Sequence, residues 1–271
     1  MSAAPPTVTE KKNDQNFFDL MDIPINNITI TQAIDMIISG IQTYTPQRGA
    51  WEFAFINAHC VNIAAGNQDY LHILRNCQAV FPDGSGIKKA ASMLGCTLVD
   101  NVNGTDMFPL LCQEFAKTKK KMFLLGAGPG IAEKTAVWAD KTTNASIIAG
   151  YQDGFFSVED LPNIISNINT AAPDLLLVAM GVPRQELWIH ENLPSLKVPV
   201  CIGVGGLFDF YSGRIKRAPL VFRRLGIEWV WRLLMEPGRM WKRYIIGNIT
   251  FMFRIRRIKK AGNKHTEKDF S

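Results

Sequence analysis

The chain has 271 residues, 47% hydrophobic and 20% charged, enough for one domain with a sizeable core and an appendage. Its five cysteines (Cys60, Cys77, Cys96, Cys112 and Cys201) form no CxxC pair, which argues against a disulfide framework and a thiolate zinc site. The net charge of +6 hides an asymmetry: between Arg214 and Lys260 fourteen Lys and Arg face two acids, whereas the rest carries 16 basic and 22 acidic residues, so an acidic body bears a basic tail that seeks polyanions.

In chain order, residues 1–17 are polar and hold the pair Pro5-Pro6, without the apolar stretch of a secretory signal, and are expected to be a disordered lead-in. Residues 18–213 alternate between two patterns. Phe53–Asn57, Ala79–Phe81, Met122–Leu125, Ile147–Ala149, Leu175–Met180 and Val200–Val204 are short apolar runs bounded by Gly, Pro, Asn or Asp, as buried strands are. Helical patterns lie between them, over about 31–46, 59–75, 86–94, 105–118, 130–143, 158–169 and 184–193. This alternation predicts an α/β domain, a Rossmann-like mostly parallel sheet with helices on both faces.

Residues 214–260 change character. They are basic, hold three of the six tryptophans, and predict a helical appendage of two or three short helices. Arg239–Lys260 reads as an amphipathic helix with Trp241, Tyr244, Ile245, Met252, Ile255 and Ile258 set against Lys242, Arg243, Arg254, Arg256 and Arg257. Either it packs on the sheet or it lies in a membrane interface; its tryptophan content and charge favour the interface. No run approaches the roughly 20 apolar residues of a spanning helix. Residues 261–271 are expected to be a disordered tail.

The motifs cluster where predicted strands end, which is where open α/β sheets bind ligands. In Asn57-Ala58-His59, His59 is a catalytic base or a hydrogen-bonded structural residue. Asp83, in FPDGSGI, accepts a hydroxyl proton or caps the next helix. In NVNGTDMF, Asn103 or Thr105 caps a helix with Asp106 in its first turn. GAGPG, Gly126 to Gly130, is a phosphate-facing helix start or a plain tight turn. It is no dinucleotide fingerprint, because Ile131 stands where the last glycine belongs. GVPRQE sets Pro183 at the first helical position, with Gln185 and Glu186 to read a base or ribose or to cap. Asp209 follows the glycine pair of GVGGLFDF. No Asp-x-Asp follows a strand, so neither a metal nor another cofactor is expected.

Taken in order, PDGSGI, NGTD, GAGPG, VAMGVPRQE, GVGGLFDFYSG, KRAP, GIEWVWRL and EPGR resemble the WecG/TagA/CpsF family of glycosyltransferases, over about residues 23–253. The resemblance implies a Rossmann-like domain with a helical appendage. It implies inverting transfer of a sugar from a UDP-sugar to an undecaprenyl-diphosphate-linked sugar, in surface-polysaccharide synthesis. It further implies Asp83 as catalytic base, Asn57 and Gln185 in the donor pocket, and Asn103 and Asp106 among the substrate-binding residues. Asp209 would lie near the nucleotide, with Arg232, Arg239 and Lys242 or Arg243 on the lipid diphosphate. Two departures bear on the donor sugar: Phe55 where some members have Thr, and Asn101 where many have Arg.

The expected partners are therefore a UDP-sugar, a polyprenyl-diphosphate-linked acceptor and an anionic membrane surface, not nucleic acid. The expected place is peripheral, on the cytoplasmic face of the inner membrane. Two rivals stand beside this reading. One is an NAD-dependent nucleotide-sugar-modifying enzyme, against which the broken fingerprint argues. The other is a non-catalytic nucleic-acid-binding protein, marked by salt-sensitive DNA binding without turnover.

Overall fold

The computed structural model describes residues 16–268. The expected lead-in up to residue 15, and the last three residues of the expected tail, lie outside the described residues, as do the side chains at 224, 239 and 262–268. The strands are β1 (Phe17–Leu20), β2 (Ile23–Asn26), β3 (Trp51–Ile56), β4 (Ala79–Pro82), β5 (Met122–Gly126), β6 (Ile148–Gln152), β7 (Leu175–Ala179) and β8 (Val200–Gly203). They form one sheet in the order β1-β2-β4-β3-β8-β7-β5-β6, antiparallel only between β1 and β2.

The helices of the body are α1 (Ile30–Gln42), α2 (Ala58–Ala64), α3 (Gln68–Asn76), α4 (Ser85–Met93), α5 (Gly104–Thr118), α6 (Ile131–Thr143), α7 (Leu161–Ala171), α8 (Arg184–Asn192) and α9 (Leu207–Tyr211). Strand alternation sends successive side chains to opposite faces. Phe53 and Phe55 of β3 join the core under α1, α5, α6 and α9, while Ala54 and Ile56 join the one under α2, α3 and α4. Further along that second face, Leu176 and Val178 of β7 pack on α7 and α8. Helices thus cover both faces, as the alternating pattern predicts.

Two local expectations needed correction. The helix expected over 59–75 is two helices, because Gly66 ends the first and the Asn67 side chain caps the second by accepting from Tyr70 N–H at 2.9 Å. The β1–β2 hairpin has no counterpart among the predicted strands. Its two-residue turn is Met21-Asp22, both at positive φ (61° and 60°), without the Asn-Gly or Asp-Gly pair that marks such turns in sequence.

Beyond the body lie α10 (Leu220–Arg224), α11 (Glu228–Met235), α12 (Pro237–Trp241), a π-helical turn at Lys242–Ile246, and α13 (Gly247–Lys268). Helix therefore runs through most of the segment where a disordered tail was expected. α13 contradicts a purely interfacial reading: Phe251 and Ile255 are fully buried in the core beneath α2 and α4. On another side, Trp241 of α12, Ile245 of the π-helical turn, and Ile249 and Phe253 of α13 are about half exposed, one every fourth residue. The amphipathic pattern thus serves two surfaces, which is why its apolar set is broader than one stripe.

Candidate active site

After β3 the chain steps to β4 on one side, then crosses to β5 on the other, so the order reverses beside β3 and β8. The carboxyl ends of the strands at such a reversal open a crevice. Two cavities occupy it. The larger, about 890 Å³, runs along the ends of β3, β5, β7 and β8 under the appendage. The smaller, about 500 Å³, lies between the start of α4 and helices α11 and α13. Both are lined by Asn57, His59, Asp83, Thr105, Arg232 and Arg243.

Asp83 stands at this junction. Its N–H donates to Ile56 C=O at 2.8 Å, tying the end of β4 to that of β3. Its Oδ2 accepts from Asn57 Nδ2 at 3.2 Å. It does not cap α4, whose cap position is Gly84 with no side-chain bond, so the capping alternative fails. Burial raises the Asp83 carboxyl above its ordinary range, opposed by the Asn57 bond and by Arg243 and Arg232.

Asn57 caps α2, accepting from His59 and Cys60 N–H at 3.0 and 3.2 Å, and aims its amide nitrogen at Asp83. Neighbouring His59 is the poorer base. Burial, helped by Arg243, pulls its imidazole down to about 4, so it takes up a proton weakly near neutrality.

Asn103 caps α5, as the sequence suggested: its Oδ1 accepts from Asp106 N–H at 2.8 Å and its Nδ2 donates to Asp106 Oδ2 at 2.7 Å. Asp106 also pairs with Arg217 and, at 3.7 Å, with Arg223. Asn103 lines the smaller cavity, while Asp106 is spent on the two arginines. Asp209 is buried and holds Arg214 at 3.0 Å. Asn101, at the departure noted above, accepts Gly84 N–H at 2.5 Å.

Gln185 is buried and both ends of its amide are engaged. Oε1 accepts from Gly181 and Gly205 N–H at 3.2 and 2.9 Å, joining the loops after β7 and β8, and Nε2 donates to Glu186 Oε1 at 2.7 Å. Pro183 is the residue before α8 rather than its first, which leaves Gln185 and Glu186 pointing inward from the first turn. A Cβ on Gly203 would come within 2.6 Å of Gln185 Nε2, so only glycine admits this clamp. Burial pushes the Glu186 carboxyl up to about 7. The sequence offered Glu186, with Gln185, as a reader of a base or ribose or as a cap; nothing in its neighbours marks it as buried.

The appendage supplies the charge. Arg232 lies over the Phe210 ring at 4.9 Å, and its Nε and Nη2 are buried without a hydrogen-bond partner among the described residues. Arg243 Nε is in the same condition. Buried guanidinium donors left unpaired in the free protein call for an anion. Lys242 lines the larger cavity beside them. The Arg239 side chain falls outside the described residues. No group of three or more His, Cys, Asp or Glu among the described residues is arranged to hold a metal.

The model of the glycosyl transferase WecG/TagA/CpsF family matches residues 18–265. A Staphylococcus aureus (strain MW2) protein is 32% identical over 267 residues, 94% of this chain and 99% of its own. A Bacillus subtilis (strain 168) protein is 33% identical over 224 residues, 83% of this chain and 85% of its own. Both are named N-acetylglucosaminyldiphosphoundecaprenol N-acetyl-beta-D-mannosaminyltransferase.

Proposed function

The chain belongs to the WecG/TagA/CpsF family of glycosyl transferases, and from that premise we propose that it moves a hexose or N-acetylhexosamine from a UDP-sugar to a sugar carried on a polyprenyl diphosphate. One observation carries the reading. Asp83 sits in the wall shared by two cavities, so one carboxylate faces a donor in the larger and an acceptor in the smaller.

The chemistry follows. Asp83 takes the proton of an acceptor hydroxyl as that oxygen bonds to the anomeric carbon; the carbon–phosphate-oxygen bond breaks and its electron pair leaves with UDP. Attack opposite to the leaving group inverts the anomeric centre. The raised Asp83 carboxyl makes a stronger base than an ordinary aspartate. Because the Gly181 and Gly205 amides are spent on Gln185, neutralising the leaving diphosphate falls to Arg232, Arg243 and Lys242. Asn57 holds Asp83 in place.

The relatives' names specify N-acetylmannosamine as the sugar those enzymes transfer. For this chain Phe55 lines the larger cavity and packs on Phe81 at 5.6 Å, an apolar wall that gives the donor no hydroxyl contact. The donor is accordingly proposed by class. The test is to incubate the protein and a panel of UDP-sugars with N-acetylglucosaminyl-diphospholipid, in EDTA, and to weigh the products. One UDP-sugar is expected to add one sugar mass at a rate that magnesium or manganese leaves nearly unchanged. Conversion of the UDP-sugar itself without acceptor would overturn the proposal.

We further propose peripheral attachment to an anionic membrane surface, at the cytoplasmic face of the inner membrane. No helix among the described residues is long and apolar enough to cross a membrane. The exposed row Trp241, Ile245, Ile249 and Phe253, flanked by exposed Arg256, Arg257 and Lys260, suits a headgroup layer. Each basic residue near such a surface contributes about 1 kcal/mol. Replacing Trp241, Ile249 and Phe253 together by serine is expected to abolish sedimentation with phosphatidylglycerol vesicles while leaving UDP binding unchanged. Undiminished sedimentation would rule the row out.

A further inference from the structure

The smaller cavity has a composition of its own. Trp229 and Tyr244 line it as a pair, ring centroids 5.9 Å apart and 49° between planes. Beside them the half-buried Glu228, at the start of α11, lines the same space, and no side chain among the described residues hydrogen-bonds its carboxylate. Arg217 and Arg223, near enough to act on Glu228 through their charge, are already paired with Asp106. The floor is closed where Gly226, at φ +68°, lets the appendage meet Ser85: a Cβ there would lie 3.3 Å from that of Ser85.

These groups divide the cavity by chemistry. Arg232 and Arg243 form its border with the larger cavity and attract phosphate. A carboxylate repels phosphate, but it accepts two hydroxyl hydrogen bonds at once. An aromatic face packs on the C–H face of a pyranose, which a diphosphate or a prenyl chain does not offer in the same rigid form. Burial raises the Glu228 carboxyl, Arg217 and Arg223 draw it back, and Asp83 adds to the rise, so Glu228 and Asp83 share one electrostatic compartment.

We propose that Glu228 and Trp229, with Tyr244 behind the ring, form the subsite that reads the first sugar of the acceptor, holding its hydroxyls so that one of them faces Asp83. This rests on the glycosyl-transfer reading of the preceding subsection. The appendage then selects the acceptor as well as supplying charge, and Glu228 and Trp229 are specificity-determining residues.

The test measures binding to the UDP-loaded enzyme of two synthetic probes, N-acetylglucosaminyl diphosphodecane and decyl diphosphate. Wild type is expected to bind the sugar-bearing probe at least tenfold more tightly. Glu228→Gln and Trp229→Ala should each remove most of that preference, leaving decyl diphosphate binding, UDP binding and melting temperature unchanged. Trp229→Phe, which keeps a ring, should recover much of it. Preference intact in both variants overturns the subsite. So does equal loss of both probes, which would make these residues supports of the appendage. A wild type that transfers sugar to lipid acceptor yet shows no preference sinks the subsite alone; one that neither transfers nor binds either probe sinks the transfer reading with it.

Discussion

Asp83→Asn is expected to lower turnover by about 10²–10⁴-fold, the loss typical of deleting a general base. The change is nearly isosteric and keeps an oxygen to accept from Asn57 Nδ2. Burial already disfavours charge at this position, so the neutral amide should fold at least as well as the wild type and bind UDP normally. The sign of the pH dependence follows from the same carboxyl. A base raised above its ordinary range loses activity as pH falls through that raised value, so the wild-type rate should show an acid limb above the usual aspartate range. The limb should vanish in Asp83→Asn. A variant with near-normal rate would point to His59 instead, and His59→Gln would then abolish the limb.

Arg232→Ala should cost about 10²-fold in kcat/KM, comparable to removing one preorganised donor to a developing anion. The expectation comes from its unpaired buried Nε and Nη2 at the border of both cavities. Removing them relieves buried donors in the free protein, so melting temperature should hold or rise while UDP binding weakens. Arg232→Lys should recover only part of the loss, since an ammonium carries the charge but not the planar fork. Kinetics of the two variants beside UDP titrations decide it; an alanine variant with unchanged kcat/KM would make the residue a mere prop against Phe210.

The parallel sheet was legible because β4, β5, β7 and β8, and all of β3 but Trp51, are buried, and a strand buried on both faces is an apolar run between turn residues. The β1–β2 hairpin was not, because backbone context, not glycine, holds Met21 and Asp22 at positive φ. At the site, position at a strand end pointed to Asp83 and Gln185 as site residues or caps, while Asn57 and Asp209 were marked by the family resemblance. What sequence withheld was their pairing. Gln185 appears there as a free amide, whereas it clamps two loops through bonds that span up to twenty residues. The appendage was legible as basic and aromatic but not as two-faced. Phe251 and Phe253 stand two residues apart in the same helix and so on opposite faces, one buried and one exposed, and only the packing of α2 and α4 decides which face is covered.

The central claim is direct displacement at the anomeric carbon by an acceptor hydroxyl that Asp83 deprotonates between the two cavities. Its most direct measurement is the anomeric configuration of the transferred sugar, read by NMR from the one-bond carbon–hydrogen coupling and compared with that of the UDP-sugar consumed. A single displacement predicts the opposite configuration, with UDP released in equal amount. Retained configuration would require a second nucleophile or a front-face mechanism, and would contradict the role assigned to Asp83.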